Sequence, residues 1–294
     1  MKSKRIIGVL FVLCACTCYA QISVNADPRD VSRKKEVDDI RYRFVYRTSF
    51  AEDTLGKSRY YDNQMLEIGK TLLRYYSVFA ETMDSTQFWH ATGLRKGGSF
   101  SLKEDLHPGE VGQYEDLFID LRTAEMTVFN GIEKKTYRYA EPVPAITWNL
   151  TGKSVELLGY ACYEAVADFR GRTWHVWFTY DIPLHYGPWK LGGLPGLILK
   201  AEDADGLFTY ELIGMQQPTG EKLYRYEIPV ISCKREDILK INDLRWKDPE
   251  KHATTNGRTG FVSLRLDPVS GKMQKMTAAE YAASIPYIPQ RELK

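Results

Sequence analysis

The stretch from Tyr160 to Tyr180 constrains the fold more than any other part of the chain. Apolar residues recur at every second position on both sides of Arg170-Gly171. Tyr163, Ala165, Ala167 and Phe169 share one side of the first half, and Trp174, Val176, Phe178 and Tyr180 share one side of the second. Period two marks a strand with unlike faces. An even-length turn around Arg170-Gly171 sets Phe169 opposite Arg172, Ala167 opposite Trp174, Ala165 opposite Val176 and Tyr163 opposite Phe178. A one-residue slip would turn that apolar face onto His175 and Thr179, so the register is closely specified. Trp174 then points inward. The other face carries Cys162, Glu164, Val166 and Asp168 beside Thr179, Trp177, His175 and Thr173, so Trp177 points outward.

Similar patterns recur along the chain. Ile40, Tyr42, Phe44 and Tyr46 alternate with Arg41, Arg43, Val45 and Arg47, as in a strand with one wet face. Residues 65–68 and 72–77 read as short strands, and residues 78–92 as a helix. Residues 126–129 and 132–140 read as a hairpin turning at Asn130-Gly131, because both turn residues tolerate positive φ. Residues 197–202 and 207–215 form another, turning at 203–206. Residues 224–230 and 261–266 are further strands. Ser232 is placed to cap a helix from Lys234 to about Trp246. Residues 97–112 and 249–258 read as loops, and 285–289 as extended chain. The prediction is a mainly β fold: a curved antiparallel sheet or half-open barrel built from hairpins, with a few accessory helices. It occupies residues 40–294 as a single domain.

Residues 1–20 read differently. Lys2, Lys4 and Arg5 precede an apolar run from Ile6 to Ala15, and Cys18-Tyr19-Ala20 offers small residues to a signal peptidase. Cleavage after Ala20 is expected, with a second position after Ala26 and a crude lipidation box ending at Cys16. Residues 21–39 are polar and read as a mobile lead-in. Removing residues 1–20 takes away three positive charges and no acid, so the formal charge goes from +2 to −1 (2 − 3). A near-neutral chain has no electrostatic case for nucleic acid. No other run is long enough to span a bilayer as a helix. Of the five cysteines, Cys162 and Cys233 remain. In an oxidising compartment they can pair, and closing that loop would contribute roughly 4 kcal/mol. Two buried thiols fit the sequence equally well.

Motifs for chemistry are sparse. No Gly-x-Ser-x-Gly elbow is present, and the glycines of residues 187–196 lead into Leu197-Ile198-Leu199 rather than a phosphate-binding helix. None of His90, His107, His175, His185 and His252 forms a helical metal-binding pair. Asp203-Ala204-Asp205-Gly206 resembles a piece of a calcium loop but is explained by a hairpin turn. Leu194-Pro195-Gly196-Leu197 suits a type II turn, with glycine at the positive-φ position. The strongest binding candidates are aromatic: Trp174, Trp177, Tyr186 and Trp189, with His175 beside them; of the first two, outward Trp177 is the more informative.

Several pieces resemble one family. They are Trp148-Asn149-Leu150, Leu158-Gly159-Tyr160-Ala161-Cys162, Arg170-Gly171-Arg172, Trp177-Phe178-Thr179, Ile182-Pro183, Gly187-Pro188-Trp189-Lys190 and Gly193-Leu194-Pro195-Gly196-Leu197-Ile198. Together they are similar to the GLPGLI family, secreted proteins of one Gram-negative phylum. The resemblance implies export to the periplasm or outer membrane and a β-rich fold. It implies no catalytic residues, cofactor or metal. The expectation is an exported, non-catalytic binding or accessory protein whose partner is a ligand or an outer-membrane protein. Two other readings stay open. One is a secreted hydrolase of peptide or glycan that brings His175 and His185 together with Asp168, Asp181 or Glu164. The other is a metal-handling protein using the same histidines.

Overall fold

The computed structural model describes residues 33–51, 59–83, 111–132, 135–248, 251, 263–266, 272–277, 280 and 290–293. The chain is mainly β. The first half holds β1 (Lys34–Asp39), β2 (Tyr42–Ala51), β3 (Arg59–Ile68), β4 (Leu72–Ser77), a helical stretch α1 at 78–83, β5 (Glu115–Asp120), β6 (Glu125–Ile132) and β7 (Lys135–Pro142). The second holds β8 (Asn149–Leu157), β9 (Tyr160–Phe169), β10 (Arg172–Thr179), β11 (Leu197–Asp203), β12 (Phe208–Gln216), β13 (Lys222–Tyr226) and β14 (Ile231–Ser232). Helix α2 (Arg235–Lys247) and the hairpin β15 (Ser263–Leu266) and β16 (Met273–Met276) follow.

Twelve strands form one sheet, ordered β14-β7-β6-β5-β4-β3-β2-β12-β11-β10-β9-β8. Its pairs are antiparallel except β14 with β7. The sheet is open, with β8 and β14 at its edges. It is nevertheless strongly curled. Arg170, in the turn between β9 and β10, donates to Glu141 of β7 at 2.7 Å, although these strands lie near opposite edges. The inner face makes one core, drawn from Phe44, Tyr46, Leu66, Tyr75, Leu117, Val128, Tyr139, Trp174, Phe178, Ile198 and Tyr210. Outside, the ribbon of β1 and β13 covers Phe118 with Ile40 and Leu223. Buried Arg74 pairs both its Nε and Nη2 with Asp116, at 2.9 and 2.8 Å, and also meets Glu81.

The β9–β10 register agrees with the alternation residue for residue, from Phe169 opposite Arg172 to Tyr163 opposite Phe178. Trp174, Val176 and Phe178 are fully buried. Tyr163 is 40% exposed because only the edge strand β8 lies beyond it.

Other expectations are corrected. The polar lead-in is described from residue 33, and its end is strand β1, paired with β13. Asn130-Gly131 is not a turn. It lies within β6, and the hairpin folds after Ile132, which pairs with Lys135. That register sets Val128 opposite Tyr139, whereas a turn at Asn130-Gly131 would set it opposite Glu133. Cross-strand apolar pairing outweighs the local turn preference. Ser232 belongs to β14. The helix starts instead at the Lys234 cap, whose backbone N–H donates to Asp237 at 3.0 Å. Cys162 and Cys233 are free thiols. Cys162 sits in β9, while Cys233 lies beside β7, where its N–H reaches the Arg138 carbonyl. Residues 84–92 of the expected helix, 97–110 of the expected loop and 285–289 lie outside the described residues.

The Gly-Pro-rich stretch folds the chain into the core, as Leu194, Leu197, Ile198 and Leu199 are all buried. It is not a type II turn. Positive φ falls on Gly193 (+85°) rather than Gly196. Gly196 is required by close approach: a Cβ there would stand 2.7 Å from the Thr179 carbonyl carbon and closer still to its oxygen. At Gly193 a Cβ would meet nothing, so only conformation matters. Gly196→Ala is therefore expected to lose about 3 kcal/mol or more, and Gly193→Ala about 1 kcal/mol. Urea melts of the two variants check the order.

Candidate functional site

His175 and Trp177 stand on the outward face of β10. Trp177 pairs with Glu164 of β9 and Lys200 of β11, and His175 pairs with Val166 and Glu202. The Lys200 ammonium lies 4.9 Å from the centre of the partly buried Trp177 ring. Glu164 is only 3% exposed. Its carboxylate accepts from the Thr151 hydroxyl at 2.6 Å and meets Lys153 Nζ at 3.1 Å. His175 Nδ1 lies 3.1 Å away. The Thr151 hydroxyl first, then His175 and Lys153, hold the Glu164 carboxyl down to about 2. An ionised carboxylate only accepts, so Nδ1 carries a proton and donates to it. The patch thus combines an aromatic surface, a cation and an imidazole in a fixed orientation.

The loop at 181–196 supplies the other candidates. Tyr186 is half-buried and bridges to Gly192. His185 Nδ1 lies 2.8 Å from the Leu194 carbonyl, which it serves as donor. Trp189 is a binding candidate from the sequence. It is 2% exposed and packs against Phe169 and Trp174, with ring centres 5.7 and 5.6 Å away. Its φ of +56° turns the indole inward. Of the hydrolytic set, His175 and Glu164 come together. Asp168 accepts instead from the Thr173 hydroxyl at 2.6 Å, and His185 is tied to its own loop. Asp203 and Gly206 form the hairpin turn, and the Asp203 carboxylate is occupied by the Phe208 N–H and Arg172. Among the described residues, no three His, Cys, Asp or Glu side chains gather as metal ligands would.

The sequence reading missed two polar sets on the inner face. The first surrounds Lys190, whose side chain is wholly buried. It donates to the Tyr139 hydroxyl at 2.7 Å and pairs with Glu141 and with Glu292. A lysine between Trp189 and Leu191 in an apolar loop was the available signal, since a buried ammonium needs a partner. The second set surrounds Asp62, which is 1% exposed. Its carboxyl accepts from Ser77 Oγ, the Gln113 N–H and Gln64 Nε2 at 2.9 to 3.2 Å. Burial nevertheless pushes it up to about 7.

Comparison with known proteins adds little. No family model matches the chain, and no curated protein matches it. Among solved structures, PNGF-II in its P21 and C2 crystal forms resembles it at a TM-score of 0.44, with 18% and 16% identity. The match spans 71% of this chain and 33% of that one. A likeness so slight transfers neither fold nor activity.

Asp62 makes stability depend on pH. The unfolded carboxyl releases its proton near 3.8 and the folded one near 7, so between these values the folded state holds an extra proton. The carboxyl's contribution therefore falls as pH rises through that window. Asp62→Asn is expected to gain on the wild type from pH 5 to pH 8, as read from urea midpoints at both values.

Proposed function

We propose that this is an exported, non-catalytic binding protein of the GLPGLI kind. In this reading it holds a ligand or an outer-membrane partner on the outward face of β9, β10 and β11. Trp177 is the centre of that contact, with Tyr186 and His175 at its margin. The observation that carries the proposal is the built frame around a partly buried indole: Glu164 fixed by Thr151, Lys153 and His175, and Lys200 held over the ring. Such a surface suits a flat or apolar-sided group that also bears hydrogen-bonding atoms. Export rests on residues 1–20 and the family on the motifs of residues 148–198. Among the described residues, no helix is long and apolar enough to cross a membrane.

The test is capture by chemical crosslinking in the native cell envelope, followed by mass spectrometry. Trp177→Ala should abolish the captured partner while losing less stability than Gly196→Ala. Trp189→Ala should act by destabilising the fold, because that indole is buried. Capture unchanged by Trp177→Ala places the contact elsewhere.

A further inference from the structure

Residues 290–293 lie in a cleft lined by the β9–β10 turn, the Trp189 loop, Glu115 of β5, Tyr210 of β12 and Arg235 of α2. They are held as a bound peptide is held. The Gln290 carbonyl accepts from Arg172 Nε at 3.0 Å, and the Leu293 N–H donates to the Arg170 carbonyl at 2.9 Å. Between these main-chain anchors, two side chains enter seats of opposite charge. Arg291 reaches Glu115 at 3.0 Å and the Tyr210 hydroxyl at 3.4 Å, with its guanidinium 5.4 Å from the centre of the Trp189 ring. Glu292 meets Lys190 and Arg235, the latter at 3.1 Å, with Arg170 4.0 Å away. All of this recognises an extended backbone with a basic side chain followed by an acidic one.

The fit leaves something over. Among the described residues, the buried side-chain nitrogens without a hydrogen-bond partner are Arg170 Nε, Trp189 Nε1 and Gln290 Nε2. All belong to this cleft or its occupant, and all are donors. Buried donors left unmade are costly, so an occupant that brings acceptors to Arg170 Nε and Trp189 Nε1 binds better than the present one. Trp189 is also held at φ +56°, a strained conformation for a bulky residue. Such strain gathers at binding sites.

We propose that this cleft is a peptide-binding groove, that residues 290–293 are its exchangeable internal occupant, and that its partner is an extended protein segment carrying a basic residue followed by an acidic one. The groove is separate from the Trp177 face and does not depend on it.

A labelled peptide of this chain's own sequence, Pro-Gln-Arg-Glu-Leu-Lys, provides the probe. Its binding is followed by fluorescence anisotropy on the full chain carrying Arg291→Ala with Glu292→Ala. The proposal expects the variant to bind it about tenfold or more tightly than wild type, whose groove is already filled. It expects the peptide with Arg and Glu exchanged to bind weakly. A folded variant that binds neither peptide, or both alike, overturns it. If the variant does not fold, hydrogen exchange of the wild type decides. A Leu293 amide that exchanges faster than the β10 amides supports an exchangeable occupant, and exchange at the same slow rate overturns it. Dimerisation of the wild type that is lost in the variant makes a second copy the occupant and overturns a separate partner.

Discussion

A wholly buried ammonium holds this open sheet in its curl. Lys190 sits among Trp189, Tyr139 and the inner core, where an unpaired charge would be intolerable. Its partners come from distant parts of the chain: Tyr139 and Glu141 from β7, and Glu292 from the segment at 290–293. Lys190 itself belongs to the loop joining β10 to β11, near the opposite edge of the sheet. Pairing it therefore brings the two ends of the sheet towards each other without closing them by a strand ladder. Arg170 and Arg235 extend the same network to the β9–β10 turn and to α2.

The two faces of the sheet then take different parts. Inside, the aromatic column of Phe169, Trp189, Trp174 and Tyr210 fills the curl, and Asp62, Glu115 and Lys190 sit beside it, each with a partner. Outside, β9 to β11 carry Trp177 with the Lys200 ammonium over its ring, while the ribbon of β1 and β13 covers another part of the outer face. The binding role proposed above would use such a division: a rigid interior that fixes the position of an outer face. The Gly-Pro-rich stretch contributes rigidity. It is buried at Leu194, Leu197 and Ile198 and passes hard against Thr179, so it positions β11.

The strands were legible in the sequence wherever a buried face imposes period two. The β9–β10 hairpin could be read to the residue because a slip exposes an entire apolar row. Turns were less legible. Asn130-Gly131 has strong local chemistry, but Val128 and Tyr139 set the register. Pro195-Gly196 likewise looks like a type II turn, yet the need for glycine comes from Thr179, far back in the chain. Trp177 falls on the strand face opposite that of Trp174, as its parity requires, and is partly buried there. Trp189 lies in a loop with no period, and its burial depends on a positive φ that the sequence does not announce. The segment at 290–293 had no pattern of its own. Its position is written in the side chains of Arg170, Arg172, Lys190 and Arg235, which gather only once the sheet has curled.

The measurement closest to this account is the unfolding free energy of Lys190→Met, a replacement that keeps much of the side-chain volume and removes the charge. Breaking a buried pair from one side should cost about 3 kcal/mol. Part of that loss should return when Glu292→Leu is added, because the stranded carboxylate is then removed as well. A Lys190→Met protein that melts with the wild type would show that the buried ammonium does not hold the two ends of the sheet together.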